Sequence, residues 1–331
     1  MVIQQIKSIS MQILKFGGTS VGSAENIRKV KEIIENTGDQ ALVVVSAMGG
    51  VTDKLIRAAN LAAEGNAMYA DIIEEIITLH QETIQDLFAE EENRQAVSDF
   101  VAPLFDELKS IHKGVFLIRE LSPKSLESIS GIGERLSSRI IAHLIGARWF
   151  DSRQYIKTYY QQGRNQVDMK STQELLKNIE KELGDLALFP GFVSSNKKGE
   201  NTTLGRGGSD YTASLLAASF DADMLQIWTD VDGFMTADPR VISRAYSIRH
   251  LNYAEAMELS HFGAKVIYPP TILPVYQKNI PITVRNTFDP TAPGTLIDGV
   301  KESSGPQQIK GISSIKNVSL LTIKGIGMVG V

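Results

Sequence analysis

Residues 41–45, ALVVV, are apolar at every position, and the run continues through Ser46 into Ala47 and Met48. A strand with one face in water alternates apolar and polar side chains; one without alternation must be covered on both faces, as in a parallel sheet between helices. Shorter apolar runs of this kind, such as QILKF at 12–16, alternate along the chain with longer amphipathic stretches, the pattern of strands joined by crossover helices. The chain therefore reads as an α/β protein. Between about residues 52 and 126 the period changes: Ile73, Ile76, Ile77, Ile84, Leu87 and Phe88 recur at three- and four-residue spacing amid Glu and Asp, which predicts a helical subregion.

Composition narrows the function. A chain of 331 residues, 43% hydrophobic and 22% charged, can bury a large core and is long for one domain but short for three. A net charge of −4 with no basic block argues against nucleic acid as a partner and for a small-molecule ligand. With no cysteine, disulfide and thiolate chemistry are excluded, and a cytoplasmic setting is expected. No apolar run approaches the roughly 18 residues of a membrane span. The first ten residues have one Lys and no apolar signal core, and Met11 is a second candidate start.

The chemistry concentrates where strands end in glycine. KFGGTS (15–20) offers converging backbone N–H groups, the N-terminus of the following helix, two hydroxyls and a mobile cation, Lys15, all suited to an anion. It lacks the G-K-[ST] of a Walker A loop, and a plain strand-to-helix turn remains the alternative. TTLGRGGSDYTASLLAA (202–218) repeats the design. Ser209 is expected at the N-cap, Arg206 supplies a planar fork for a carboxylate, and Asp210 can either cap the helix or orient Lys15. GIGERLSSR (131–139) puts Glu134 in the first turn of a third helix, where acids are favoured by the dipole alone. Asp238-Pro239-Arg240 reads by itself as a turn. His80, His112, His143, His250 and His261 are scattered, and surface or packing roles are expected of them. Gly325, Gly327 and Gly330 satisfy G-x-G-x-x-G, but no helix or later acidic residue accompanies them, so a dinucleotide site is set aside.

In order across residues 11–296, KFGGTS, SAMGGVTDKL, GIGERLSSR, GFVSSN, TTLGRGGSDYTA, WTDVDGFMTADPR and YAEAMELSHFGAKVIYPPTI resemble the signatures of aspartate kinases. The resemblance is strongest to the kinase half of bifunctional aspartokinase/homoserine dehydrogenases. It implies the amino-acid kinase fold, an α/β/α sandwich on an open, mostly parallel sheet, over residues 11–298, then a linker and the truncated start of an ACT regulatory domain over 299–331. It implies ATP-dependent phosphorylation of the β-carboxylate of L-aspartate to 4-phospho-L-aspartate, with glutamate and acetylglutamate kinases as the alternative. It further implies that Lys15 and Asp210 are catalytic; that Gly17, Gly18, Thr19 and Ser20 hold phosphate; and that Arg206, Glu134, Ser46, Thr52 and Ser209 bind aspartate. Thr229, Asp230 and Phe234 are expected beside the nucleoside, and Arg240 and Lys265 on the phosphates. Mg²⁺ is expected to bridge ATP oxygens with no protein ligand assigned, and the full-length protein to be a homo-oligomer.

Overall fold

The computed structural model describes residues 10–38, 40–261, 266–300, 309–314 and 319. The chain begins β1 (Met11–Phe16), α1 (Ala24–Glu35) and β2 (Gln40–Val45), then turns wholly helical through α2 (Val51–Glu64), α3 (Tyr69–Leu87), α4 (Glu91–Ile118), α5 (Pro123–Ser130) and α6 (Ile132–Ile145). Next come β3 (Arg148–Trp149), α7 (Ser152–Tyr155), β4 (Lys157–Gln161), β5 (Arg164–Val167), α8 (Met169–Ile179), β6 (Leu186–Pro190), β7 (Val193–Asn196) and β8 (Asn201–Thr203). The remainder is α9 (Gly208–Ser219), β9 (Met224–Thr229), β10 (His250–Asn252), α10 (Tyr253–His261), α11 (Ile272–Lys278), β11 (Ile282–Asn286) and β12 (Thr295–Asp298).

Eight strands form the main sheet in the order β10-β12-β11-β9-β1-β2-β6-β3, and only the β11–β12 pair is antiparallel. The unalternating apolar run explains its own place: residues 41–45 of β2 are buried on both sides. Leu14, Phe16, Val43 and Val45 meet Ile27, Val30 and Ile34 of α1 and Ile141 of α6 on one face. Ile13, Leu42, Val44, Leu225 and Ile227 meet Ala213, Leu216 and Ala217 of α9 on the other. Helix α9 is buried nearly all round, as its small and apolar residues require.

The expected helical subregion is α2 to α5, with a core of its own that includes Leu55, Ile73, Ile76, Leu104 and Leu108. His80 and His112 are packing residues there. His80 is fully enclosed, its Nδ1 is 2.7 Å from Ile76 O, and burial lowers its pKa to about 4, so the ring is neutral. A second sheet, β5-β4-β7-β8, was not expected. Nor is ARWFDSRQYI a full strand: Asp151 accepts the N–H of Arg153 and starts the short helix α7 after two strand residues. Among the described residues no helix is long and apolar enough to cross a membrane. The G-x-G-x-x-G stretch and the greater part of the ACT reading at 299–331 lie outside the described residues.

Candidate active site

Strands β9, β1, β2 and β6 are parallel neighbours, so the loops at their carboxyl ends open on one edge of the sheet, where open α/β folds bind ligands. The turn after β1 is tied to β9 by Gly17 N–H, which donates to Trp228 O at 3.1 Å. It is also pressed against the loop after β2. A Cβ on Gly18 would lie 3.0 Å from Ala47 O, and one on Gly133, in the first turn of α6, 2.7 Å from Ala47 Cβ. Any side chain at either position would wedge apart the three segments that carry KFGGTS, SAMGG and GIGER.

On this edge Lys15 Nζ lies 2.7 Å from Asp210 Oδ1, and both residues are only 8% exposed. Asp210 stands in the first turn of α9, where the helix dipole favours a carboxylate. The contact lies off the hydrogen-bonding direction, and Asp210 Oδ1 has no hydrogen-bond partner. Of the two roles open to Asp210, its contact is the one with Lys15. The N-cap is Gly207, with no side-chain cap, so Ser209 is not the cap expected; it sits one residue into the helix, packed beside Gly191.

Glu134 is 5% exposed, and burial raises its pKa to about 7 against the pull of its own N–H and that of Ala47. Its Oε2 has no hydrogen-bond partner among the described residues. A buried carboxylate oxygen without a donor is costly and calls for a cation or donor beyond the described residues. Nearby, Ser137 Oγ donates to Ser46 O at 2.7 Å, and Ser46 N–H donates to Phe16 O at 3.1 Å, which fixes the loop after β2 from both sides. Sequence reasoning had no sign of Ser137 or of the Ala47 amide beyond their place within two glycine-flanked motifs. Ser46 and Thr52 are partly exposed at the start of that loop and of α2. Arg206 is exposed on the turn into α9 and meets no carboxylate among the described residues.

Two expected contacts are displaced. The Ser20 side chain is fully buried and its Oγ is 2.6 Å from Thr287 Oγ1, so this hydroxyl braces the turn against the strand end after β11 instead of facing a phosphate. Phe234 is also fully buried, in the core beneath the sheet. Its segment is extended, with Met235 bridged to Ser247, and successive side chains of such a segment point opposite ways; Met235 therefore takes the open side.

That open side is a cleft of about 470 Å³ beside the end of β9, with Thr229, Asp230, Met235, Arg240, Leu259 and Val266 in its walls. Arg240 forks onto Asp238, Nε at 3.0 Å from Oδ1 and Nη2 at 2.9 Å from Oδ2. Lys265 lies outside the described residues. A larger cavity of about 550 Å³ lies over Gln12, Trp228 and Arg285, against a sheet face, and includes none of the expected site residues. Among the described residues no group of three or more His, Asp or Glu could by itself hold a metal ion.

Residues 10–286 match the amino acid kinase family. The chain is 34% identical over 344 residues to bifunctional aspartokinase/homoserine dehydrogenase 1, chloroplastic, of Arabidopsis thaliana, covering 98% of this chain and 37% of that one. It is 33% identical over 323 residues to lysine-sensitive aspartokinase 3 of Escherichia coli, covering 96% of this chain and 70% of that one. The crystal structure of E. coli aspartokinase III in complex with aspartate and ADP superposes with a TM-score of 0.82 at 33% identity, over 88% of this chain and 65% of that one. The chain thus spans little more than a third of the length of the plant relative.

Proposed function

Because the chain belongs to the amino acid kinase family, and within it to the aspartokinases, we propose that it transfers the γ-phosphoryl group of ATP to the β-carboxylate of L-aspartate. The observation that carries this reading is Glu134, a buried carboxylate with an unpartnered oxygen on the same strand-end edge as the Lys15–Asp210 pair. An amino acid's ammonium would supply the missing partner. The exposed fork of Arg206 would take the α-carboxylate in two parallel hydrogen bonds, with lighter contacts from Ser46, Thr52 and Ser209.

The β-carboxylate is ionised near pH 7 and needs no general base. One of its oxygens forms the new bond to Pγ as the bond from Pγ to the β,γ-bridging oxygen breaks, giving 4-phospho-L-aspartate and ADP. Such a transfer asks for positioning and charge stabilisation. Lys15, oriented by Asp210, would stand where negative charge passes between carboxylate and phosphate, and the amides of Gly18 and Thr19 would hold phosphate oxygens, that of Gly17 being taken by Trp228 O. Thr229, Asp230 and Met235 would flank the nucleoside, and Arg240 and Lys265 would reach the phosphates. An Mg²⁺ carried in on the nucleotide would partly neutralise the charge of the phosphates.

Incubation with MgATP and hydroxylamine should trap an acyl phosphate with aspartate. Equal or faster trapping with glutamate or acetylglutamate would overturn the substrate assignment in favour of another amino-acid kinase.

A further inference from the structure

Residues 309–314 lie beyond β12 and beyond the stretch matched by the family, yet they run along the cleft beside β9. Ile312 N–H donates to Thr236 O at 2.8 Å, which adds this segment to the extended stretch that carries Met235. That stretch is held by further backbone bonds: Thr236 N–H donates to Tyr246 O at 2.9 Å and Ile248 N–H to Phe234 O at 2.7 Å. Lys310 Nζ lies 3.0 Å from Glu255 Oε2, the same oxygen that accepts Asn252 N–H at 2.8 Å and so helps cap α10. Between these anchors Gly311 passes close to the body of the protein, where a Cβ would come 3.2 Å from Ile248 Cδ1 and 3.4 Å from Thr236 O. The attachments at Lys310 and Ile312 set the segment's course, and Ile312, Ser313 and Ser314 stand in the cleft wall.

The wall they complete has a definite chemistry. Ile312 is 67% exposed, and Met235, Leu259 and Val266 contribute partly buried apolar surface to the same cleft. The hydroxyl-bearing residues Ser313 and Ser314 stand beside it. A slot with apolar walls and hydroxyls at its margin suits a flat heterocycle with a polar rim, whereas a bare phosphate or an amino acid would leave the apolar surface wet. On the reading above, the phosphates would be held by the Gly18 and Thr19 amides, with Arg240 at the mouth of the cleft.

Building on the nucleotide reading above, we propose that Ile312, Ser313 and Ser314 are nucleotide-binding residues, forming a strap that covers the purine end of the cleft. Ile312 packs on the base and the serine hydroxyls bond to its edge or to the ribose. Nucleotide and strap then hold each other in place, and by linkage anything that displaces the strap lowers nucleotide affinity by the factor by which nucleotide resists the displacement.

In the full chain, Ile312→Ala should weaken MgADP binding about fivefold by calorimetry, the loss expected from stripping part of one apolar contact. Its circular dichroism and its KM for aspartate should not change, since Ile312 is mostly exposed. In the unmodified chain, MgADP should slow hydrogen exchange at the Ile312 amide. Equal MgADP affinity in the variant, together with unchanged exchange at Ile312, overturns the strap and leaves the nucleotide site standing. Failure of the unmodified chain to bind MgADP overturns both.

Discussion

Lys15, Asp210 and Glu134 are each less than a tenth exposed, whereas Asp230 and Arg240, at the far side of the same crevice, stand in solvent. The buried charges are held by backbone on several sides: Lys15 by the central strand, Asp210 by the first turn of α9, Glu134 by the Ala47 amide and the close approach at Gly133. On the exposed side, Arg240 forks onto Asp238, two residues away in the same turn. A charge fixed in a dry site acts at full strength and needs no rearrangement when the reaction moves charge past it, whereas one in water is screened and free to shift. The two halves of the crevice are therefore expected to contribute different quantities, transition-state stabilisation from the buried half and adaptable binding from the open half.

Lys15→Ala tests this most severely. Its charge should matter chiefly as negative charge crosses between carboxylate and phosphate, so kcat should fall by about 100- to 1000-fold, roughly 2.7–4 kcal/mol by analogy with a preorganised oxyanion donor. The Kd for MgADP, measured directly, should move far less. A kcat within threefold of the unsubstituted protein would remove Lys15 from the mechanism and end the distinction between the two halves.

Glu134→Gln comes next, and pH separates its effects. In the folded chain the carboxyl holds its proton up to about pH 7, against 4.5 for the ordinary group, because burial penalises the charge. The native state therefore binds the proton more tightly than the unfolded state. The stability this lends is complete below pH 4.5 and is lost as pH rises through about 7. Without ligand, Glu134→Gln should melt higher than the parent protein at pH 8, with the gain shrinking toward pH 4.5. With aspartate the order should change: an ammonium needs the ionised carboxylate, so the parent's aspartate KM should rise as pH falls below 7. The variant should bind aspartate about 10- to 150-fold more weakly at pH 8, the loss of one charge-assisted hydrogen bond, and lack that pH dependence. An unchanged aspartate KM at pH 8 would mean that the orphaned oxygen serves something else.

What was legible in the sequence follows a related division. Strand β2 announced itself because all five residues at 41–45 are apolar, and α2 to α4 because their apolar spacing is local. The β5-β4-β7-β8 sheet did not: KTYYQ and RNQV carry mostly polar, partly exposed side chains, and their pairing depends on partners far along the chain. Lys15, Asp210 and Glu134 were marked by glycine turns and by family resemblance, and the structure brings their segments to one edge. Ser20 and Phe234 came from the same motifs but face elsewhere. A motif gives an address along the chain, and the direction of a side chain is decided by neighbours such as Thr287, 267 residues from Ser20. Met235, one position from the residue expected, shows that an extended segment reverses its faces with a single step.

Arg240→Ala should have the smallest effect, and it bears on the open half directly. The guanidinium is exposed and already satisfied by both oxygens of Asp238, so reaching a phosphate means exchanging one partner for another in water. Exposed charge pairs of this kind contribute little, so the ATP KM should rise only about threefold while kcat and the aspartate KM stay put. The difference should narrow as salt rises from 0.05 to 0.5 M, since at about 1 M charges more than roughly 3 Å apart are screened. Asp238→Ala supplies the converse: with its fork released, Arg240 should bind phosphate at least as well, and the ATP KM should hold or fall. Should Arg240→Ala instead cut kcat by more than about 30-fold, its guanidinium would be acting on the transition state as a buried donor does. The open side of the crevice would then close around the nucleotide during turnover, and the contrast drawn from exposure would belong only to the unliganded protein.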